Sequence, residues 1–260
     1  MATQRELRQL RSLKTGKGRR ELNQYAAEGV RLLEESLRHG VAPLALYCDP
    51  GALSDRGRQL AEELRGRGVR CEEIAAHQIE SSADTKTPQG LIGVFKCPSP
   101  PLEELQTCRR ILICDGISDP GNVGTLIRSA HAFDFAAVLL TEESADPFSP
   151  KVVRSTAGSI FAIPAVKTSL EDCLGFLADS SFSLVTSEPA ATQDSALLSA
   201  EACSNQLALA IGSEGEGISP RLAECSSLRL AIRHSSQVES LNAGVAGSLL
   251  MREIYELAAD

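Results

Sequence analysis

With 260 residues, 43% of them hydrophobic, and a formal net charge of −8, the chain has the apolar content of a folded protein large enough for two cores. No apolar run approaches the roughly 18–20 residues that span a bilayer, and the first eight residues hold no apolar signal core. A cytoplasmic protein without a membrane partner is therefore expected. Eight cysteines (Cys48, Cys71, Cys97, Cys108, Cys114, Cys173, Cys203, Cys225) form no Cys-x-x-Cys pair, so reduced, mostly buried thiols are expected, with neither a metal site nor a disulfide framework.

The first twenty residues carry Arg5, Arg8, Arg11, Lys14, Lys17, Arg19 and Arg20 against the single acid Glu6. Such a basic arm suits nucleic-acid phosphates, because neutralising them releases counterions. A solvated, partly disordered terminus has the same composition. From about Glu21 to Lys96 helix-like and strand-like patterns alternate. Helical spacing runs from Leu22 through Val30, Leu33 and Leu37 to a stop at Gly40. Residues 44–48 read as a strand, 55–67 as a charged helix and 90–95 as another strand. Cys97-Pro98-Ser99-Pro100-Pro101 then interrupts the pattern, because proline removes donors and restricts the residue before it. The expected division is an N-terminal domain over 1–96, a proline-rich linker over 97–106 and a C-terminal domain over 107–260.

Beyond the linker, short apolar strands are expected at 111–114, 137–141, 160–166, 183–187, 207–211 and 228–232, with helices between them. Ser149-Pro150, with Gly158 as the stop, and Ser219-Pro220 each place a capping residue before an N1 proline. Strands alternating with helices imply an α/β domain with a mostly parallel sheet covered on both faces, its ligands held in loops beyond the carboxyl ends of the strands.

Three such loops stand out. In residues 115–128, a strand leads through Asn122 at the entry of a helix whose apolar stripe is Val123, Leu126, Ile127, Ala130 and Phe133. At 100° per residue Arg128 falls opposite that stripe. An anion at the helix entry would suit this arrangement, and so would a plain Asn cap with a solvated Arg. The second loop, 210–219, holds Gly212, Gly215 and Gly217 after a strand, which lets backbone approach a ligand. It carries Glu214 and Glu216 and has neither a Walker nor a Gly-x-Gly-x-x-Gly pattern, which disfavours a nucleotide-dependent oxidoreductase. The third, 238–247, reads as a helix start capped by Ser240 or Asn242, with Gly244 and Gly247 inside its first turns. Each interior Gly costs about 1 kcal/mol relative to Ala, so either a flat ligand or another backbone is expected close by, or the small residues make a plain core contact.

Taken together, Asn122-x-Gly124-x-x-x-Arg128, Gly212-x-Glu214-x-x-Gly217-Ile218 and Ser240-Leu241-Asn242 resemble the three motifs of the SpoU/TrmH family of RNA ribose 2′-O-methyltransferases, in the SPOUT superfamily. The resemblance covers about Arg109 to the end. Residues 150–158 look like the helix between the first two motifs. Glu28-Gly29 and Thr87-Pro88-Gln89-Gly90 resemble the family's smaller ribosomal-protein-like substrate-binding domain. What the resemblance implies is a parallel-sheet domain whose C-terminal segment forms a trefoil knot, S-adenosylmethionine as cofactor, a homodimer and an RNA substrate. The added domain points to ribosomal RNA, with guanosine favoured. A transfer RNA target, or a non-catalytic RNA-binding or assembly factor of the same fold, are the alternatives.

By the same resemblance, Asn122, Arg128, Glu214, Ser240 and Asn242 form the catalytic cluster, and Thr186, Gly212, Gly217, Ile218, Ile232 and Leu241 surround the cofactor. Arg128 is read as a clamp on phosphate and developing alkoxide, since a free guanidine has a pKa above about 12. Glu214 is read as orienting Arg128 or Asn122. Arg233 and Ser236 stand where the family usually has Pro and Gly, and His234 is new to that loop. The small residues from Ala243 to Ser248 are expected to serve a dimer interface.

Overall fold

The structure, a computed structural model, describes residues 2–188, 193–194, 198, 205–235 and 237–258, without the side chains of 193 and 194. In chain order the elements are α1 (Gln4–Ser12), α2 (Gly16–Leu22), β1 (Gln24–Glu28), α3 (Val30–Arg38), β2 (Ala45–Cys48), α4 (Asp55–Gly66), β3 (Arg70–Glu73), α5 (Ala76–Ser82) and β4 (Leu91–Lys96). Then follow β5 (Arg110–Asp115), α6 (Pro120–Ala132), β6 (Ala137–Leu140), α7 (Pro150–Ser155), β7 (Ala165–Lys167), α8 (Leu170–Ala178), β8 (Ser183–Ser187) and β9 (Gln193–Asp194). The last are β10 (Leu207–Gly212), α9 (Pro220–Glu224), β11 (Leu228–Ala231) and α10 (Ala243–Leu257). Among the described residues no helix is long and apolar enough to cross a membrane.

Two compact units form. The first comprises Met1–Cys97 with Phe148–Ala162. Its sheet runs β1-β4-β2-β3, with β4 antiparallel to both neighbours and β2 parallel to β3. The basic terminus is no loose arm. Leu7, Leu10 and Leu13 lie in the core with Tyr47, Ile79 and Ile92, and Thr3 with Glu6 closes a capping box on α1. The Thr3 backbone N–H, then the Arg70 guanidinium, hold the Glu6 carboxyl down at about 2. The helix expected from Leu22 to Leu37 is in fact α2, β1 and α3. Asn23 and Gly29 take positive φ (51° and 98°) and break the helical path, while pairing with β4 takes Gln24–Glu28 into the sheet. Gly40 does stop α3, at φ 72°. The two short N-terminal motifs meet: Gln89 Oε1 accepts from Val30 N (3.1 Å), and the Glu28 carboxylate accepts from Asp84 N (3.1 Å) and Thr85 N (3.3 Å).

Unit two comprises Pro98–Pro147 and Ile163–Asp260. Its described strands form one sheet in the order β7-β6-β5-β10-β8-β11-β9, parallel throughout. Strand residues alternate between two covered faces, so Ile111, Ile113, Ala208 and Ala210 pack with Cys173 and Phe176 of α8 and Leu222 of α9. The strand expected over 160–166 is shorter, because Ser159–Phe161 makes a 3₁₀ turn and Pro164 precedes β7. Ser149 and Ser219 stand at the expected caps, yet neither side chain makes a capping bond. Cys48, Cys114 and Cys173 are buried and Cys225 is exposed; Cys203 lies outside the described residues. Burial pushes the Cys114 thiol up to about 12, which keeps it protonated and unreactive.

α10 packs along α6. Its two glycines face inward: a Cβ on Gly247 would come 2.3 Å from Leu126 Cδ2 and 3.2 Å from Ile211 Cγ1, and one on Gly244 would come 3.3 Å from both Asn122 Oδ1 and Thr125 Cβ. Ser129 and Ser248 hydroxyls meet at 2.7 Å on the same seam. The small residues therefore serve a contact inside the chain, and the dimer expectation loses Gly244 and Gly247 as its support. Leu126 is fully buried and has nowhere to turn. Gly247→Ala should therefore be a net loss, with about 1–3 kcal/mol of overpacking outweighing a helix-propensity gain of about 1 kcal/mol. A urea midpoint at or above the unmodified protein's would contradict that tight seam.

Candidate active site

The three singled-out loops lie at the carboxyl ends of β5 and β10 and at the N-terminus of α10. α6 begins earlier than its apolar stripe indicated. Asp119, rather than Asn122, is the cap, accepting from Asn122 N (2.9 Å) ahead of Pro120 at N1. Asn122 thus sits in the first turn with its amide free to reach across. At α10 the cap is Asn242, whose Oδ1 accepts from Val245 N (3.2 Å). Ser240 is exposed and outside that cap.

The loop after β10 folds back on itself. Ser213 N donates to Gly217 O (3.1 Å) and Gly217 N to Ser213 O (2.9 Å), with Gly217 at φ 71°. A Cβ on Gly212 would lie 2.2 Å from Gly217 C, so that glycine answers to the loop's own backbone rather than to a ligand. Gly215 and Gly217, by contrast, face open space.

This turn presents Glu214. Its Oε1 accepts from Asn242 Nδ2 (2.6 Å), Asn122 Nδ2 (3.1 Å) and Ala243 N (3.2 Å), while Asn242 Nδ2 also donates to Asn122 Oδ1 (2.9 Å). One residue from each motif is thereby joined, and a carboxylate sits at a helix N-terminus, where the backbone dipoles favour it. Glu214 holds Asn122, which settles one of the two partners expected for it. Arg128 stands apart: it is exposed, two turns along α6 and about 9 Å farther by helical rise, with no contact to the network among the described residues.

A cavity of about 830 Å³ opens beside the network, lined by Asn122, Glu214 and Ala243 together with Asp115, Asp119, Glu142, Glu143 and Glu216. Its acids repel phosphate and suit a cationic group. Of the residues expected around the cofactor, Gly217 and Ile218 line this cavity. Thr186, Gly212, Ile232 and Leu241 lie outside its lining, at the ends of β8, β10 and β11 and just before α10. The Thr186 side chain is spent within the chain, donating to Glu188 Oε1 (2.9 Å) and meeting Ser226 Oγ at 3.0 Å. His234 and Arg233 are exposed, and Ser236 lies outside the described residues.

Three supporting residues were missed in the sequence. Asp115, 6% exposed, accepts from Ser219 N (2.7 Å) through Oδ2 and from Thr141 Oγ1 (3.2 Å) through Oδ1; Thr141 Oγ1 accepts in turn from Gly116 N (2.9 Å). Asp115 thereby ties the far end of the Glu214 loop to β5. Lys167 Nζ donates to Thr141 O (2.8 Å), Glu142 O (2.7 Å) and Ser144 O, pinning the cavity's third wall; burial pushes its pKa below the usual amine range. A charged residue ending an apolar strand was the one signal available for Asp115. Asp115→Ala should leave Ser219 N–H unpaired, costing about 1–3 kcal/mol, and should weaken activity, while Asp115→Asn retains an acceptor for Ser219 and loses less. Thermal melts and turnover of the two variants check this; equal loss in both would show that the charge, not the acceptor, matters.

The pattern of the SpoU rRNA methylase family matches residues 109–252, and that of an MRM3-like substrate-binding domain matches 4–93. The chain belongs to the SpoU rRNA methylase family. It is 32% identical over 251 residues to the 23S rRNA (guanosine(2553)-2'-O)-methyltransferase RlmP of Bacillus subtilis, covering 96% of each chain. Mitochondrial rRNA methyltransferase 3 of Mus musculus is 33% identical over 147 residues, 54% of this chain and 34% of that one. Among solved structures, the AdoMet-bound rRNA methyltransferase from Sinorhizobium meliloti superposes with a TM-score of 0.86 at 27% identity, over 98% of this chain and 96% of that one.

Proposed function

We propose that the protein methylates a ribose 2′-hydroxyl of ribosomal RNA, guanosine being the favoured nucleoside, with S-adenosylmethionine as methyl donor. The observation that carries this reading is the hydrogen-bonded set Asn122–Glu214–Asn242, one residue from each motif, in a chain that aligns over nearly its whole length with a named rRNA 2′-O-methyltransferase. A non-catalytic assembly factor would have no use for that set, and a transfer RNA target draws no comparable support from the N-terminal match.

The donor set fits the cofactor. Gly215 and Gly217 leave space beside the turn, Ile218 offers apolar contact, and Glu214 and Glu216 suit a sulfonium and an ammonium. Gly217 and Ile218 would hold it at the cavity, with Ile232 and Leu241 beyond that lining; Thr186, paired with strands on both sides, and Gly212, closed against Gly217, serve the fold instead. When bound, the cofactor supplies an electrophilic methyl. Asn122, fixed by Glu214 and Asn242, holds the ribose hydroxyl in line, and Ser240 flanks it. Arg128 clamps the target phosphate and stabilises the alkoxide as the hydroxyl proton leaves to water. The trefoil knot implied by the family resemblance belongs to the same reading.

Arg128 is exposed, so Arg128→Ala should change stability by less than about 0.5 kcal/mol. Transfer of labelled methyl to rRNA should fall about 100-fold or more with cofactor affinity nearly unchanged, and Arg128→Lys should rescue poorly, lacking the bidentate fork. Full activity in Arg128→Ala would return this residue to a solvated surface role.

The homodimer belongs to the same proposal, resting now on the outward face of α10. Val245 and Leu249, one turn apart, are 48% and 40% exposed on a helix whose other large apolar residues are mostly buried. Val245→Glu with Leu249→Glu should convert a dimer to a folded monomer in light scattering. A monomeric unmodified protein at micromolar concentration would refute the dimer.

A further inference from the structure

The structure sorts the seven N-terminal cations by what each is already doing. Lys14 Nζ donates to Ala83 O (2.8 Å) and Ser81 O (3.4 Å), closing the end of α5. Arg19 is buried and donates to Leu13 O (2.8 Å). Lys17 faces Glu21 at 3.7 Å. Arg5, Arg8 and Arg11 are different. They are exposed, and among the described residues none has a carboxylate within ion-pair distance. The one acid of α1, Glu6, is consumed by its own cap and by Arg70. Arg20 is a fourth open cation, on α2.

Spacing turns three side chains into a surface. Positions 5, 8 and 11 are three apart on one helix, hence neighbours on its face, and they span about 9 Å along the axis. Leu7 and Leu10 point the other way, into the core, which fixes the stripe toward solvent. Elsewhere in this unit arginines are mostly answered by acids: Arg38 by Glu35, Arg56 by Glu34, Arg67 by Glu63, and Arg65 by Glu73. Arg31 and Arg58 are exposed singly, on helices that also carry Glu34 and Glu35, or Asp55, Glu62 and Glu63. In a chain of net charge −8, three adjacent uncompensated guanidiniums form a local exception.

We infer that the Arg5–Arg8–Arg11 face of α1 docks the phosphate backbone of the RNA. This rests on the RNA-methylating reading and adds to it the surface that supplies affinity. Guanidiniums held in a row by a rigid helix neutralise successive phosphates and release their counterions; the contact positions the RNA without reading its bases. The face takes no part in methyl transfer.

The test compares Arg5→Ala/Arg8→Ala/Arg11→Ala with the unmodified full-length protein, both checked for folding by circular dichroism. Binding to protein-free 23S rRNA transcribed in vitro is measured across a salt series. Each phosphate contact contributes about 0.7–0.9 to the slope of log affinity against log salt, so the triple variant should lose about 2–3 of that slope. KM for the rRNA should rise about tenfold or more with kcat and cofactor affinity within about twofold. Replacing the same three with Lys should restore most of the slope, and Arg31→Ala/Arg58→Ala should leave it unchanged. An unmodified slope in the triple variant, from a protein that does bind and methylate rRNA, overturns the docking face alone. Failure of the unmodified protein to bind or methylate rRNA overturns the underlying reading instead.

Discussion

Three hydrogen bonds into one oxygen, Oε1 of Glu214, determine where the three motif loops lie relative to one another. The donors come from α6 (Asn122), from the cap of α10 (Asn242) and from the first backbone N–H of α10 (Ala243). Charge-assisted bonds of this kind are roughly twice as strong as neutral ones. Because Glu214 is exposed, its carboxylate retains water as well and escapes most of the desolvation cost that a buried charge would meet. The net contribution to stability is accordingly modest. The gain is positional: two amide side chains that could rotate freely are fixed at the mouth of a cavity.

Such a node can form only if its backbones approach closely enough, and packing beneath it supplies that condition. Gly247 brings α10 against α6 at a separation where a Cβ would crowd Leu126, Gly244 keeps a tight approach to Asn122 and Thr125, and the Ser129–Ser248 bond lies on the same seam. On the other side, Gly212 lets the loop after β10 close over itself, and Asp115 anchors the loop's far end at Ser219. Each helix-interior glycine costs about 1 kcal/mol in propensity, and buried Asp115 must be satisfied by neutral donors alone. Both expenses fall directly under the Glu214 node. That placement is what separates a built site from a chance meeting of polar surface residues.

Much of this was legible from local pattern. Strands at the heart of the parallel sheet announced themselves as short apolar runs, and Ser-Pro pairs marked the helix starts even though their hydroxyls do not cap. Asn122, Glu214 and Asn242 each lie where a strand or loop ends and a helix or tight turn begins, but only the resemblance to the SpoU/TrmH motifs groups them into one cluster. What escaped depended on partners distant in sequence. β1 was read as helix because Leu22, Val30 and Leu33 fall at helical spacing, whereas pairing with β4, nearly seventy residues on, decides its state. The basic terminus looked like an arm because its charges outnumber its leucines; burial of Leu7, Leu10 and Leu13 folds it nonetheless. Asp119 displaced Asn122 as cap since Pro120 favours N1, a local signal that the apolar stripe beginning at Val123 obscured.

The glycines of α10 teach the same lesson in energetic form. An interior glycine reports that something comes close, without saying what. A second subunit, a cofactor and a neighbouring helix all predict the same small residue. Only the direction of the missing Cβ distinguishes them, and here both point at α6, that of Gly247 also at β10. The face that remains for any other partner is the opposite one, where Val245 and Leu249 are large and apolar rather than small. A surface that exposes apolar side chains of this size gains by covering them at roughly 25 cal/mol per Å² buried, whereas glycines have little side-chain area to contribute. The same helix thus uses small residues where close packing inside the chain requires them and large ones where area remains to be covered.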